Sequence, residues 1–187
     1  MPDTHHKRVF FALWPDEPQR DSIYKIYQKS IYKASSGQVH QRGNFHLTLH
    51  FLGSLTPSQV DCALQQAEKV MSEKFDLTLD SFACFEKAKI LYLGPTVIPP
   101  QLSELYEKLT DVISVCEVPL ESRRYQPHVT LVRKFKDFQP SEVSQKVHWE
   151  INKFALLESI STANGVQYKP LQFFPLRDHT QSIKMPT

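Results

Sequence analysis

Two stretches, Phe45-His46-Leu47-Thr48-Leu49 and Pro127-His128-Val129-Thr130-Leu131, each set a histidine and a threonine two residues apart among apolar neighbours. In an extended strand alternate side chains point to opposite faces. His46 and Thr48 would then share one face, as would His128 and Thr130, while the residues between them enter a core. One His-x-Thr carries little weight, because a lone histidine is most often a partly buried polar residue. Two copies in the same strand-like setting are far less readily accidental. Histidine ordinarily titrates near pH 6.5, so one imidazole can take a proton from an attacking oxygen while a second, as imidazolium, gives one to a departing oxygen. On opposite sides of a phosphorus centre such a pair contributes about 10²–10⁴-fold in rate. Threonine hydroxyls on the same face can donate to nonbridging phosphate oxygens. This chemistry requires no metal ion.

Other chemistries fit less well. Zinc asks for three or four ligands; His46 and His50 share strand parity with Thr48, but no carboxylate or cysteine stands at ligand spacing beside them. There is no Gly-x-Ser-x-Gly elbow and no phosphate-cradling loop, and the whole chain holds five glycines. His5, His6, His40, His148 and His179 read as structural. Cys62, Cys84 and Cys116 are too few and too scattered for a disulfide framework and read as thiols.

The net charge of +2 gives no broad grip on duplex nucleic acid. The cations are local instead: Arg123, Arg124, Arg133, Lys134 and Lys136 crowd the second motif and Arg42 precedes the first, which suits a small anionic substrate. With 187 residues, 41% hydrophobic and 22% charged, the composition is that of an ordinary soluble globular domain. No apolar run is long enough to span a membrane. The first residues lack the apolar segment of a secretory signal, so a cytoplasmic location is expected.

The elements that must position the motifs follow from pattern. Arg8–Trp14 is apolar on both faces and reads as a central strand. Asp16 and Pro18 open a helix whose Ile23, Tyr24, Tyr27 and Ile31 form a stripe, closed by Ser35-Ser36-Gly37. Thr56, Pro57 and Gln59 predict a capped helix start, followed by an apolar face of Val60, Ala63, Leu64, Ala67, Val70 and Met71. Leu77 with Leu79, and Ile90–Leu93, read as strands; Pro99-Pro100 introduces a helix with Leu102, Leu105, Tyr106, Leu109, Val112 and Ile113 on one side. Pro140-Ser141-Glu142 reads as a short helix start. Phe154–Leu157 and Gln172–Leu176 read as strands joined through Asn164-Gly165, with a frayed tail after Arg177. The order predicts one α+β domain over residues 1–187, bilobal, with two antiparallel sheets related by a pseudo-twofold, lining a central cleft and backed by helices.

The segments Arg8–Leu13, Asn44–Gly53, Pro127–Arg133, Glu158-Ser159 and Tyr168–Leu176 make the chain resemble the RNA 2′,3′-cyclic phosphodiesterase (2′-5′ RNA ligase) family of the two-histidine phosphoesterases. The resemblance implies metal-independent opening of a terminal 2′,3′-cyclic phosphate to a 2′-phosphate without a cofactor, and an in vitro reverse 2′-5′ ligation. It implies His46 as general acid, His128 as base, Thr48 and Thr130 as holders of phosphate oxygens, and Arg133 as a neutralising cation. The motifs are nearly symmetric, so which histidine is acid does not follow from the residues themselves. Simple parity also leaves Arg133, three residues past Thr130, off the motif face unless a bulge or strand end intervenes. Phe10, Phe51 and Tyr125 are candidates for stacking on a base, with core packing the plainer role. Expected partners are RNA ends or small cyclic nucleotide phosphates, with the chain monomeric. Sister readings are a 2′-5′ oligonucleotide or cyclic mononucleotide phosphodiesterase, and a non-catalytic module that binds RNA ends.

Overall fold

The computed structural model describes residues 6–30, 37–135, 142–163 and 165–178. Ile31, Ser35, Ser36, Lys136, Pro140, Ser141, Asn164, His5, His179 and the rest of the tail lie outside them.

In chain order the elements are β1 (Lys7–Leu13), α1 (Glu17–Ser30), β2 (Gln38–Val39), β3 (Leu47–Leu55), α2 (Pro57–Ala67), β4 (Phe75–Phe85), β5 (Ile90–Gly94), α3 (Pro100–Ile113), β6 (Val129–Arg133), β7 (Glu142–Ile151), β8 (Lys153–Thr162) and β9 (Gly165–Pro175). The fold is α+β. The strands run β7-β4-β5-β6-β3-β1-β8-β9, so each half of the path has its His-x-Thr strand innermost. The two halves meet through one residue pair, Leu47 opposite Val129. Beyond it β3 and β6 part, and β2 takes the vacated edge of β6, with His40 N donating to Leu131 O at 2.7 Å. That strap approaches so closely that a Cβ on Gly37 would sit 2.7 Å from Val132 Cγ1.

β1 is central, between β3 and β8, which explains why both its faces are apolar. The face carrying Val9, Phe11 and Leu13 enters the main core with Ile23, Ile26 and Tyr27 of α1, Val60 and Ala63 of α2, and Leu102, Leu105 and Leu109 of α3. Phe10 and Ala12 join a smaller cluster with Leu157, Phe51 and Tyr168 on the opposite face. The capping box at Thr56 and Gln59 is present, with Pro57 in the first turn. The α2 helix ends at Ala67, however, and Met71 is exposed rather than part of its apolar face. Glu142 starts a strand, not a helix: Val147, Trp149 and Ile151 are buried at every second position, a period that only an extended chain delivers. Among the described residues no helix is long and apolar enough to cross a membrane.

Two of the three cysteines are not thiols. Cys62 on α2 and Cys116, in the short turn that follows α3, form a disulfide, because packing α2 on α3 brings distant segments together. Cys84 is free.

Candidate active site

His46 and His128 each stand one residue before a strand begins. Each ring is fixed through Nδ1, which donates to a backbone carbonyl two residues earlier: Asn44 O for His46 and Gln126 O for His128, both at 2.7 Å. A donating Nδ1–H leaves Nε2 as the lone-pair nitrogen of each neutral ring. His46 Nε2 lies 3.1 Å from Thr48 Oγ1.

The strands carry matching irregularities. Along β3, Phe11 pairs with His50 and Ala12 with Thr48, so Leu49 is the extra residue of a bulge; along β6, Leu91 pairs with Val132 and Tyr92 with Thr130, so Leu131 is extra. Each bulge falls directly after the motif threonine and reverses the strand's phase. Leu131 and Val132 therefore both enter the core while Arg133 faces the cleft, as the spacing required. Leu49 and His50 are likewise both buried, and Phe51 faces the cleft. This corrects the parity expected for His50, whose Nε2 lies 3.0 Å from Tyr106 O and from Thr110 Oγ1 in the interior.

His46, Thr48, His128 and Arg133 line one cavity of about 1000 Å³. Thr130 is not part of that wall and is 8% exposed. Each catalytic candidate sits among aromatic rings. His46 has Phe10 and Tyr168 at 4.9 Å, and His128 has Phe85 at 4.9 Å and Tyr92 at 5.2 Å. Tyr168 comes from β9, held by Asn44: its Nδ2 donates to Val166 O at 2.7 Å and its Oδ1 accepts from Tyr168 N at 3.2 Å. Asn44 therefore fixes both the ring of His46 and the strand that packs on it. Of the three aromatic candidates, Phe10 and Phe51 line the cavity and Tyr125 does not. Arg8, not anticipated, lines it with its guanidinium 4.8 Å above Phe51. Arg42, by contrast, is bound to Glu17 and Asp21 of α1, so its charge is spent away from the cleft. His148 is a surface residue beside Thr78.

His40, read as structural, is also in the cavity wall, its ring 6.3 Å from that of His46. Its Nε2 is buried without a hydrogen-bond partner among the described residues. Burial, aided by Arg133, lowers the His40 pKa to about 4. Burial lowers that of His46 to about 3 against the opposing pull of Asn44 O, and that of His128 in the same direction. All three rings are thus neutral near pH 7. In the unfolded chain they take up protons near pH 6.5, so the unfolded state binds more protons below that point and stability falls with pH until the folded values are reached. Denaturant midpoints measured from pH 8 downward should stay level to about pH 7 and then drop. His40 alone would contribute a loss on the order of 3 kcal/mol by pH 4, and His40→Gln should flatten the slope.

A phosphate held between the rings would also reveal the inequality of the threonines. Thr48→Val is expected to lower turnover on the order of 10²-fold, the usual effect of losing one donor to a developing charge, while the buried Thr130→Val costs less than about tenfold by the same measure. Steady-state kinetics of the two variants on one substrate make the comparison.

The sequence matches the family model of the 2′-5′ RNA ligase superfamily over residues 14–162. It is 24% identical over 173 residues to an RNA 2′,3′-cyclic phosphodiesterase of Escherichia coli, covering 91% of this chain and 97% of the relative, and 27% identical over 169 residues to a protein of that name from Bacillus subtilis, covering 84% and 90%. The crystal structure of E. coli LigT complexed with 3′-AMP superposes with a TM-score of 0.85 at 24% identity, over 94% of this chain and 99% of that one. The paired motifs, the bulges that aim them and the family match together place this chain in the 2′-5′ RNA ligase superfamily.

Proposed function

We propose that the protein is an RNA 2′,3′-cyclic phosphodiesterase that opens a terminal 2′,3′-cyclic phosphate to a 2′-phosphate. The reading is carried by one observation: two imidazoles from distant strands, each fixed through Nδ1, share one cavity with Thr48 and Arg133. It is supported by the names of the curated relatives.

Water enters in line with the departing 3′-oxygen. His128 Nε2 takes the proton from the water as the new P–O bond forms. His46, as imidazolium, gives its Nε2 proton to O3′ as the P–O3′ bond breaks. Thr48 donates to a nonbridging oxygen and Arg133 offsets the charge that builds on phosphorus oxygens, while Thr130, buried on β6, contributes less. His46 holds no proton at neutral pH in the free protein, so the anionic phosphate is what restores it: a negative charge nearby favours the imidazolium. The chain works as a monomer on RNA ends in the cytoplasm and uses no cofactor.

The test is turnover by the purified protein, with EDTA present, of an RNA bearing a terminal 2′,3′-cyclic phosphate, followed by location of the product phosphate. A 2′-phosphate is expected. A 3′-phosphate would mean that O2′ leaves, against this assignment. Tight binding without turnover would leave only a module that recognises RNA ends. Faster cleavage of a 2′-5′ linked dimer would move the substrate to the sister activity.

A further inference from the structure

The cavity at the paired histidines does not end at His128. A second cavity of about 630 Å³ adjoins it, and Thr48, Phe51, Glu121, Arg123 and His128 belong to the walls of both. The junction of two chambers therefore coincides with the reacting centre.

The second chamber is built by two segments that the first does not use, the turn after β4 with Lys87 and the helix α3 with Tyr106, together with Arg124 and Tyr125 from the stretch before β6 that both chambers share. Phe85, at the end of β4, is half-buried in this wall and meets the His128 ring edge-on at 4.9 Å. Tyr106 is the middle ring of a stack, 4.1 Å from His50 on one side and 4.1 Å from Tyr125 on the other, so it stiffens the wall with both faces occupied, and the half-buried Phe85 is the ring that faces a ligand. The cations differ in their commitments. Arg123 is paired with Glu121 at 2.7 Å, whereas Lys87 and Arg124 are exposed and in no salt bridge among the described residues. Rings in the wall with uncommitted cations beside them are the features by which a protein holds a nucleotide: a base stacks and a phosphate meets positive charge. The volume lies within the about 300–1,000 Å³ usual for small-ligand sites.

We propose that this second chamber binds the nucleotide immediately 5′ of the one that carries the cyclic phosphate, so that the preferred substrate is an RNA end of at least two nucleotides rather than a cyclic mononucleotide. The inference rests on the phosphodiesterase reading and extends it to substrate length. A cyclic mononucleotide engages one chamber only. A nucleoside presenting its 5′-hydroxyl as the entering group in place of water would also reach the second chamber. It brings no anion of its own, however, whereas the phosphodiester that links an upstream nucleotide does, and Lys87 and Arg124 answer to that charge.

The experiment compares a dinucleotide ending in a 2′,3′-cyclic phosphate with the matching cyclic mononucleotide, for the wild-type protein and for Lys87→Ala/Arg124→Ala. The dinucleotide should show a KM at least about tenfold lower, the factor that one stacked base supplies. The double substitution should remove most of that advantage and leave kcat and KM for the mononucleotide unchanged, which also reports an intact fold. Equal KM values in the wild type would overturn the proposal. So would a dinucleotide KM indifferent to the substitutions, or a variant that lost only its inhibition by an added 5′-hydroxyl nucleoside. Calorimetry with the corresponding 2′-phosphate products separates this from failure of the phosphodiesterase reading. Even without turnover, tighter binding of the dinucleotide product that depends on Lys87 and Arg124 sustains the chamber's assignment, and equal binding of the two products ends it.

Discussion

His128→Ala is expected to lower kcat on a cyclic-phosphate RNA end by about 10²–10⁴-fold with little change in KM, and His46→Ala to do the same. The reason is geometric. Each ring is anchored by Nδ1 to a carbonyl and has one nitrogen left for the substrate, so removing the ring removes proton transfer. Groups that act on one transition state are far from additive, and the double variant should be hardly slower than either single one. Single-turnover rates at saturating substrate would make the comparison independent of product release. A variant that kept more than about a tenth of wild-type turnover would not be missing a general acid or base, by the same scale, and that histidine would have to be reassigned. His46→Ala carries a further expectation: the ring is packed by Phe10 and Tyr168, so its loss should also cost some stability, whereas a wild-type melting profile with lost turnover isolates the chemistry.

The second large effect concerns folding. The Cys62–Cys116 disulfide closes a loop with a sequence separation of 54 residues, and the loss of loop-closure entropy from the unfolded chain amounts to about 4 kcal/mol at that length. Cys62→Ala should therefore lower the urea midpoint of oxidised protein markedly. In excess dithiothreitol the wild type should fall to meet the variant, whose own midpoint does not move. If reductant left the wild-type midpoint unchanged, the two sulfurs would not be joined in solution. The prediction bears on location as well, since thiols are kept reduced in the cytoplasm: a protein held in that compartment has the lower of the two stabilities.

Much of the candidate site's geometry was legible because the motif is local: a histidine and a threonine two residues apart need only an extended backbone to share a face. The capping box of α2 and the two-sided apolar character of β1 were legible for the same reason. What escaped depends on partners far along the chain. Nothing near Thr130 announces that Leu131 will have no opposite number on β5, yet that register shift is what brings Arg133 to the cleft. His50 was misjudged by the matching shift at Leu49. Tyr168 reaches His46 only because β9 is tied to Asn44, and His40 enters the wall only because β2 crosses to β6. Pro140, Ser141 and Glu142 resemble a helix opening, yet Glu142 begins a strand, because pairing with β4 imposes the alternation through Val147, Trp149 and Ile151. Cysteine spacing in sequence likewise says nothing of how α2 lies on α3.

The near-symmetry of the scaffold poses a difficulty for any reaction with a direction. Two equivalent half-sites would receive an ester either way round, and half of all encounters would be unproductive. The register shifts put unlike groups at the equivalent third position of each half: a guanidinium, Arg133, on one side, and on the other the ring of Phe51 roofed by Arg8. A ligand thus meets two dissimilar walls, and that mismatch, more than the similarly anchored histidines, is what would tell one end of it from the other.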